Sequence, residues 1–261
     1  MVVDFHVHCF PDDLAPRAVK LLSERADLSP RLNGTVEDIR NSMKRANVDY
    51  SVLLNIATKP SQTEKMNTWA AEVNKDGIIA FGSVHPDYEE YEKELGRIKS
   101  LGLKGIKFHP DYQLFYVDEE RVFPIYELAV KLGLVIVFHA GVDVGLPPPY
   151  HCNPQRLKRV IEAFPKGRFV AAHMGSFSYW DDVEKYLVGR NIYFDTSYCL
   201  GCIDRHQVRR IIENHDHEKV LFATDSPWTD QQEEIVKLRK LNLGIDTEEA
   251  ILGRNALKLL K

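Results

Sequence analysis

Eight short apolar runs, each followed by a helix-like stretch, limit what this chain can fold into. The runs are Asp4–Cys9, Tyr50–Ala57, Ile78–His85, Leu103–Pro110, Leu134–Gly141, Phe169–Gly175, Ile192–Tyr198 and Val220–Pro227. Each is short for a helix and suits a buried strand. Between them lie the amphipathic segments Val36–Ala46, Thr63–Asn74, Tyr88–Ser100, Glu119–Leu132, Pro154–Phe164, Trp180–Leu187, Asp204–Asn214 and Gln231–Leu241. A further helix, Thr247–Leu260, is expected to close the chain, and Gly102, Gly133 and Gly244 fall where helix C-caps belong. This alternation predicts the α/β class and a distorted (β/α)8 TIM barrel with an extra C-terminal helix, residues 1–261 forming one domain. A doubly wound open sheet is the competing fold. It usually has fewer strands and often a glycine-rich phosphate loop, and no GxGxxG or Walker-type run occurs here.

Composition narrows the partners. A net charge of −4 with no basic block argues against nucleic acid as a ligand. No apolar run reaches the roughly 18 residues of a membrane helix, and the N-terminus lacks the basic and apolar regions of a secretory signal. Four cysteines in 261 residues do not make a disulfide framework. A reducing compartment, the cytoplasm, is therefore expected. A small-molecule substrate is the expected partner, and a homodimer is compatible with everything in the sequence.

The polar residues gather where the strands end. Runs one, three, four, five and six end at or near His8, His85, His109, His139 and His173, and run eight at Asp225. In a barrel these ends share the rim on which active sites are built. Strand alternation puts Asp4, His6 and His8 on one face of the first run and Val3, Phe5 and Val7 on the other. By the same parity Lys107 shares a face with His109, Val135 and Val137 with His139, Ala171 with His173, and Ala223 with Asp225. Converging imidazoles and a carboxylate need a cation. They suit zinc first, and also manganese, iron or nickel. A lone HxH, a lone histidine after an apolar run, or an Asp-Ser-Pro turn would each signify little; their joint occurrence predicts a metal.

The segments DFHVH, GIKFHP, VIVFHAG, AAHMG, YFDTS, LFATDSPW and ILGRNALKLL resemble the amidohydrolase superfamily over essentially the whole chain. The likeness is to its second group, which includes aminocarboxymuconate-semialdehyde decarboxylase and related metal-dependent hydrolases. The resemblance implies metal ligands at His6, His8, His139 and Asp225. It implies that His173 holds a second metal or activates the water, and that Asp225 takes a proton. Two-metal members carry a bridging carboxylated lysine or a glutamate after strand four, where this chain has Lys107-Phe108-His109-Pro110. The missing glutamate also counts against a TatD-type nuclease.

A divalent metal with an open position lowers the pKa of bound water from about 15.7 to about 7, and the His173 imidazole is the natural general acid or base. Hydrolysis of a small ester, lactone or amide is therefore the first expectation. Non-oxidative decarboxylation of an aromatic or unsaturated acid is the alternative, a phosphodiesterase stands below it, and a non-catalytic metal-binding barrel is disfavoured by His173 and Asp225. No strand ends in an arginine for a substrate carboxylate, which leaves Arg17 or Arg31 from loops. A single metal is expected because a neutral imidazole gives one nitrogen to one cation. His109 then faces substrate, and Lys107 stays uncarboxylated and reaches a carboxylate such as Asp4. His151, His206, His215 and His217 read as surface or loop residues. His151 joins Tyr112 and Trp228 as a candidate substrate contact, and Tyr150, Tyr179 and Trp180 are further rim aromatics. The Cys199–Cys202 CxxC is not expected to be a functional dithiol, and Cys9 is expected to pack outside the barrel.

Overall fold

Parallel pairing of consecutive strands wraps the eight apolar runs into a closed barrel. The computed structural model describes residues 1–261. Its strands are β1 (Val3–Val7), β2 (Tyr50–Leu54), β3 (Ile78–Phe81), β4 (Gly105–Phe108), β5 (Val135–Phe138), β6 (Arg168–Ala171), β7 (Tyr193–Asp195) and β8 (Val220–Leu221). Pairing is continuous within β1-β2-β3 and within β4-β5-β6-β7-β8. Two seams join these arcs. At one, the Lys107 N–H donates to Gly82 O at 2.9 Å; at the other, Phe5 N–H donates to Phe222 O and Asp225 N–H to His6 O, both at 2.8 Å. Every expected strand is present and stops two or more residues early. The residues released at the C-terminal ends form the rim.

The helices are α1 (Ala15–Ala26), α2 (Val36–Ala46), α3 (Thr63–Val73), α4 (Tyr91–Ser100), the single turn α5 (Pro110–Gln113), α6 (Phe123–Lys131), α7 (Pro154–Ala163), α8 (Trp180–Tyr186), α9 (Arg205–Asn214), α10 (Gln231–Arg239), α11 (Ile245–Glu249) and α12 (Asn255–Leu259). Helix α1 was not anticipated. Its signal was present: Pro16 in the first turn, and Ala15, Val19, Leu22 and Ala26 at helical spacing. Gly102 and Gly133 follow helix ends with φ of 78° and 70°. Gly244 differs from expectation: it precedes α11, while Asn242 takes the left-handed conformation after α10. The expected last helix is interrupted by a π-helical segment, Ala250–Arg254. A Cβ on Gly253 would meet Met1 O at 2.3 Å, so only glycine lets this segment lie against the N-terminus. Ala256 and Leu259 of α12 pack into the interior cluster with Val3 and Phe5 and close the barrel floor.

Two hydrophobic clusters record which way each strand residue points. Val52, Phe81, Val135, Val137, Val170 and Leu221 fill the interior. Leu53, Ile106, Phe108, Ile136, Phe138 and Phe194 pack outwards against the helices, as does Cys9. Strand β1 breaks the expected alternation. Val3 and Phe5 belong to the interior but Val7 to the outer cluster, and the register shifts between Asp4 and Val7. Such an irregularity re-aims side chains. Asp4 therefore does not share a face with His6 and His8. It accepts from Thr224 Oγ1 at 2.7 Å and Gln231 Nε2 at 2.8 Å, and it is not the partner of Lys107. Strand β6 also departs: Ala171 lies in the outer cluster, and His173 reaches the rim through a left-handed backbone with φ of 61°.

Phe5 and Phe81 meet edge to face at 5.9 Å in the interior. Gly105 makes room for them, since a Cβ there would lie 2.3 Å from Phe81 Cε2 and 2.4 Å from Val135 O. Gly96, in α4, has nothing within 4 Å of that position. Gly105→Ala should therefore cost about 1–3 kcal/mol, while Gly96→Ala should stabilise by about 0.4–1 kcal/mol. Urea unfolding of both variants checks the pair, and equal shifts would reject the packing assigned to Gly105.

Candidate metal centre

The rim histidines are ordered by what holds their far nitrogens. His6 Nδ1 lies 2.9 Å from Asp195 Oδ2. An ionised carboxylate only accepts, so the His6 proton sits on Nδ1. His8 Nδ1 lies 3.0 Å from the Leu54 carbonyl, which places its proton likewise. Each Nε2 is left as a bare lone pair. The two are 3.1 Å apart, and Asp225 Oδ1 stands 3.3 Å from the first and 3.1 Å from the second. Three acceptors thus face one another. Lys107 Nζ, 3.3 Å from His6 Nε2, is the donor beside them. It leaves His8 Nε2 and Asp225 Oδ1 facing each other.

Protonating His6 does not resolve the conflict. Burial, and then Lys107, pushes the His6 pKa down to about 3. Burial opposes ionisation of Asp225, yet His6 and His8 hold its carboxyl well below the usual range. Burial lowers Lys107 to about 8. A divalent cation satisfies all three acceptors at once, so the donor set fits one.

Strained backbone aims two of these groups. Asp225 has φ of 68° and His173 of 61°, a region costly for residues other than glycine. Surrounding hydrogen bonds hold both. Asp195 Oδ1 accepts the His173 N–H at 3.0 Å, and Trp180 Nε1 donates to His173 O at 3.1 Å. Sequence reasoning did not single out Asp195. Its signal was available, since Asp195 ends β7 on the inward parity opposite to Phe194. Burial opposes its ionisation, but His6, His173 and Lys107 keep it well below the usual range.

His139 and His109 form a second group with Asp143, a loop residue that no sequence signal marks. Here the protons are already in place. His109 Nδ1 accepts from the Tyr112 N–H at 3.4 Å, so its Nε2 carries the proton and faces Asp143 Oδ2 at 3.0 Å. His173 Nδ1 faces Ser197 O at 3.0 Å, so its Nε2 accepts from His139 Nδ1, also at 3.0 Å. His139 Nε2 is left buried without a partner. Of the four expected ligands, the structure brings His6, His8 and Asp225 together. It stacks His139 on His109 at 4.0 Å instead.

These groups open into a cavity of about 240 Å³ lined by His8, Lys107, His109, His139, His173 and Asp225, with Tyr112 and Trp228. His151 does not line it. Its ring is held 2.7 Å from Asp111 Oδ1. Tyr150, Tyr179 and Trp180 are likewise absent from the wall, where Phe177 and Tyr198 stand instead. His85 accepts from the Asp87 N–H outside it. His215 is not a surface residue: it is buried, stacked on Phe194 at 4.2 Å. No arginine lines the cavity; Arg17 is exposed and Arg31 pairs with Glu233. Cys199 and Cys202 are free thiols.

Comparison with solved structures gives matches along the whole chain. An uncharacterised TIM-barrel protein from Bordetella bronchiseptica superposes with a TM-score of 0.81 at 19% identity, covering 99% of this chain and 98% of its own. The 5-carboxyvanillate decarboxylase of Sphingomonas paucimobilis has a TM-score of 0.75 at 16% identity, covering 99% and 98%. A dihydroxybenzoic acid decarboxylase from Polaromonas sp. JS666, with bound manganese and the inhibitor 2-nitroresorcinol, has 0.75 at 16%, covering 99% and 96%. At such identities the likeness carries the fold. No curated protein matches by sequence. Several of the matching structures are decarboxylases of aromatic acids, which corrects the expectation that put ester, lactone or amide hydrolysis first. A family model described as amidohydrolase matches residues 3–261, and the chain belongs to that family.

Proposed function

We propose that this protein is a metal-dependent, non-oxidative decarboxylase of an aromatic acid. The observation that carries this reading is the three-acceptor cluster of His6, His8 and Asp225 beside Lys107, at the end of a largely apolar cavity. The expectation that favoured hydrolysis leaned on a missing arginine. Lys107 answers it, because it is the one lysine or arginine in the lining and stands where a substrate carboxylate would be drawn. The decarboxylases among the structural relatives support the same reading.

We assign a divalent cation to His6, His8 and Asp225, with His139, whose Nε2 is free, as the fourth donor. Manganese is the first choice from the relative that holds it, and zinc suits the same donors. When bound, the cation supplies Lewis acidity towards the substrate oxygens. The rest falls to the chain. Lys107 orients the carboxylate. The bond between the ring carbon and the carboxylate breaks, its electron pair stays on the ring, and carbon dioxide leaves. That carbon must take up one proton. His173 lines the cavity and is the group placed to deliver it, taking the proton up from water, while Asp225 is ionised and committed to the cation site. Asp195 and Ser197 hold His173 in one tautomer: Ser197 Oγ donates to Asp195 Oδ1 at 2.5 Å and accepts from His173 Nδ1 at 3.0 Å. A substrate seated against the apolar wall displaces water there, which favours a step that disperses the charge of a carboxylate.

Manganese- or zinc-loaded protein should release carbon dioxide from 2,6-dihydroxybenzoate or from an alkyl-substituted salicylate. Cleavage of lactones or amides with no carbon dioxide from any aromatic acid would sink the proposal. Metal analysis should find His6→Ala and Asp225→Ala largely empty, and Asp195→Ala about 10–100-fold weaker in metal affinity, since Asp195 fixes the His6 tautomer. Full occupancy in all three would remove the ligand assignment. His173→Asn should lower kcat by about 10²–10⁴ while retaining metal; an unchanged kcat would exclude it from proton transfer.

A further inference from the structure

Beyond the polar groups, the cavity is walled by large apolar side chains that nothing in the fold covers. Phe10, Leu22 and Leu28 come from the connection between β1 and α2, and Met66 and Trp69 from α3. All five are only half-buried, so apolar surface faces the cavity. Contiguous apolar surface of this kind marks a place where something apolar sits. Helix α1 is the extra element here. A (β/α)8 barrel needs one helix between β1 and β2, and this chain has two. The inserted helix turns Leu22 and Ala26 onto the cavity beside Leu14, while its other buried residues, Ala15 and Val19, anchor it to the barrel.

The charges in the lining restrict the other end of the ligand. Lys107 is the one lysine or arginine. Asp143 is a second carboxylate beside Asp225, tied by His109 Nε2 and by the Gly145 N–H at 2.7 Å. A ligand with one carboxylate meets the cation site and Lys107. A second carboxylate would meet no second lysine or arginine in the lining and would face Asp143, and an unpaired charge in an apolar cavity is costly.

We infer that the substrate is an aromatic monoacid bearing an apolar substituent, and that Leu22, Leu28, Met66 and Trp69 seat that substituent. The acid end rests on the decarboxylase reading; the substituent rests on the cavity wall alone. The test is calorimetric binding to manganese-loaded protein, which needs no turnover. The probes are salicylate, its methyl, ethyl and propyl derivatives substituted meta or para to the carboxylate, and salicylate carrying a second carboxylate. Affinity should rise about three- to fourfold per added carbon along at least one series, and the dicarboxylate should bind at least about tenfold more weakly than the ethyl compound. Affinities flat within about twofold along both series, or a dicarboxylate that binds as tightly as the ethyl compound, would overturn the inference. The double variant Leu22→Gln, Leu28→Gln should lose most of the rise while keeping its metal content and thermal unfolding. A full rise in that variant would overturn the seat. Carbon dioxide is scored separately: a clear rise with no release from any acid removes the decarboxylase reading and leaves the apolar seat standing.

Discussion

Everything at the rim depends on three acceptor atoms made to face one another: His6 Nε2, His8 Nε2 and Asp225 Oδ1, all within 3.3 Å. Left alone they repel. The fold forces them together by occupying the opposite side of each histidine ring, with Asp195 on His6 and the Leu54 carbonyl on His8. Removing a proton from between two lone pairs is how a protein prepares a cation site. The neighbouring group makes the contrast plain. There His109 Nε2 carries a proton to Asp143, so that pair is satisfied by a hydrogen bond and only His139 Nε2 is left free. Two clusters of the same composition thus differ in chemistry, because Tyr112 donates to one ring where a carboxylate accepts from the other.

The irregularity in β1 is what allows this. A regular strand would have sent Asp4 inwards with His6 and His8. The register shift sends Asp4 out to Thr224 and Gln231, where its oxygens tie β1 to β8 and α10. Burial raises its pKa to about 7 there. His6 and His8 remain at the rim, free of a third carboxylate. The same seam carries the Asp225 N–H to His6 O bond, so barrel closure and the ligand geometry share one set of hydrogen bonds.

Above that floor the cavity has one strong cation and a wall of apolar side chains. This division suits a ligand that is charged at one end only. Helix α1 and the residues around it supply much of the wall, so the least barrel-like part of the chain shapes the part of the ligand that does not react. Chemistry from strand ends and selectivity from inserted segments is the division of labour a barrel permits.

Sequence periodicity alone determined the strands, most of the helices and the rim position of His6, His8, His109, His139, His173 and Asp225. It could do so because period two and the order of elements are local properties of the chain. It also placed Lys107 inwards. It did not find Asp195, which alternation would have revealed, nor Asp143, which lies in a loop where no period applies. It paired Lys107 with Asp4, whereas the tertiary structure put Asp4 outside; it grouped His139 with the first triad, and the tertiary structure stacks that ring on His109 while leaving its Nε2 free. Those outcomes turn on a one-residue shift in β1, on the left-handed backbone at His173 and Asp225, and on which nitrogen of each ring is already occupied. Such features depend on contacts between residues as much as 227 positions apart. No local pattern encodes them, and only the closed barrel brings the partners close enough to choose.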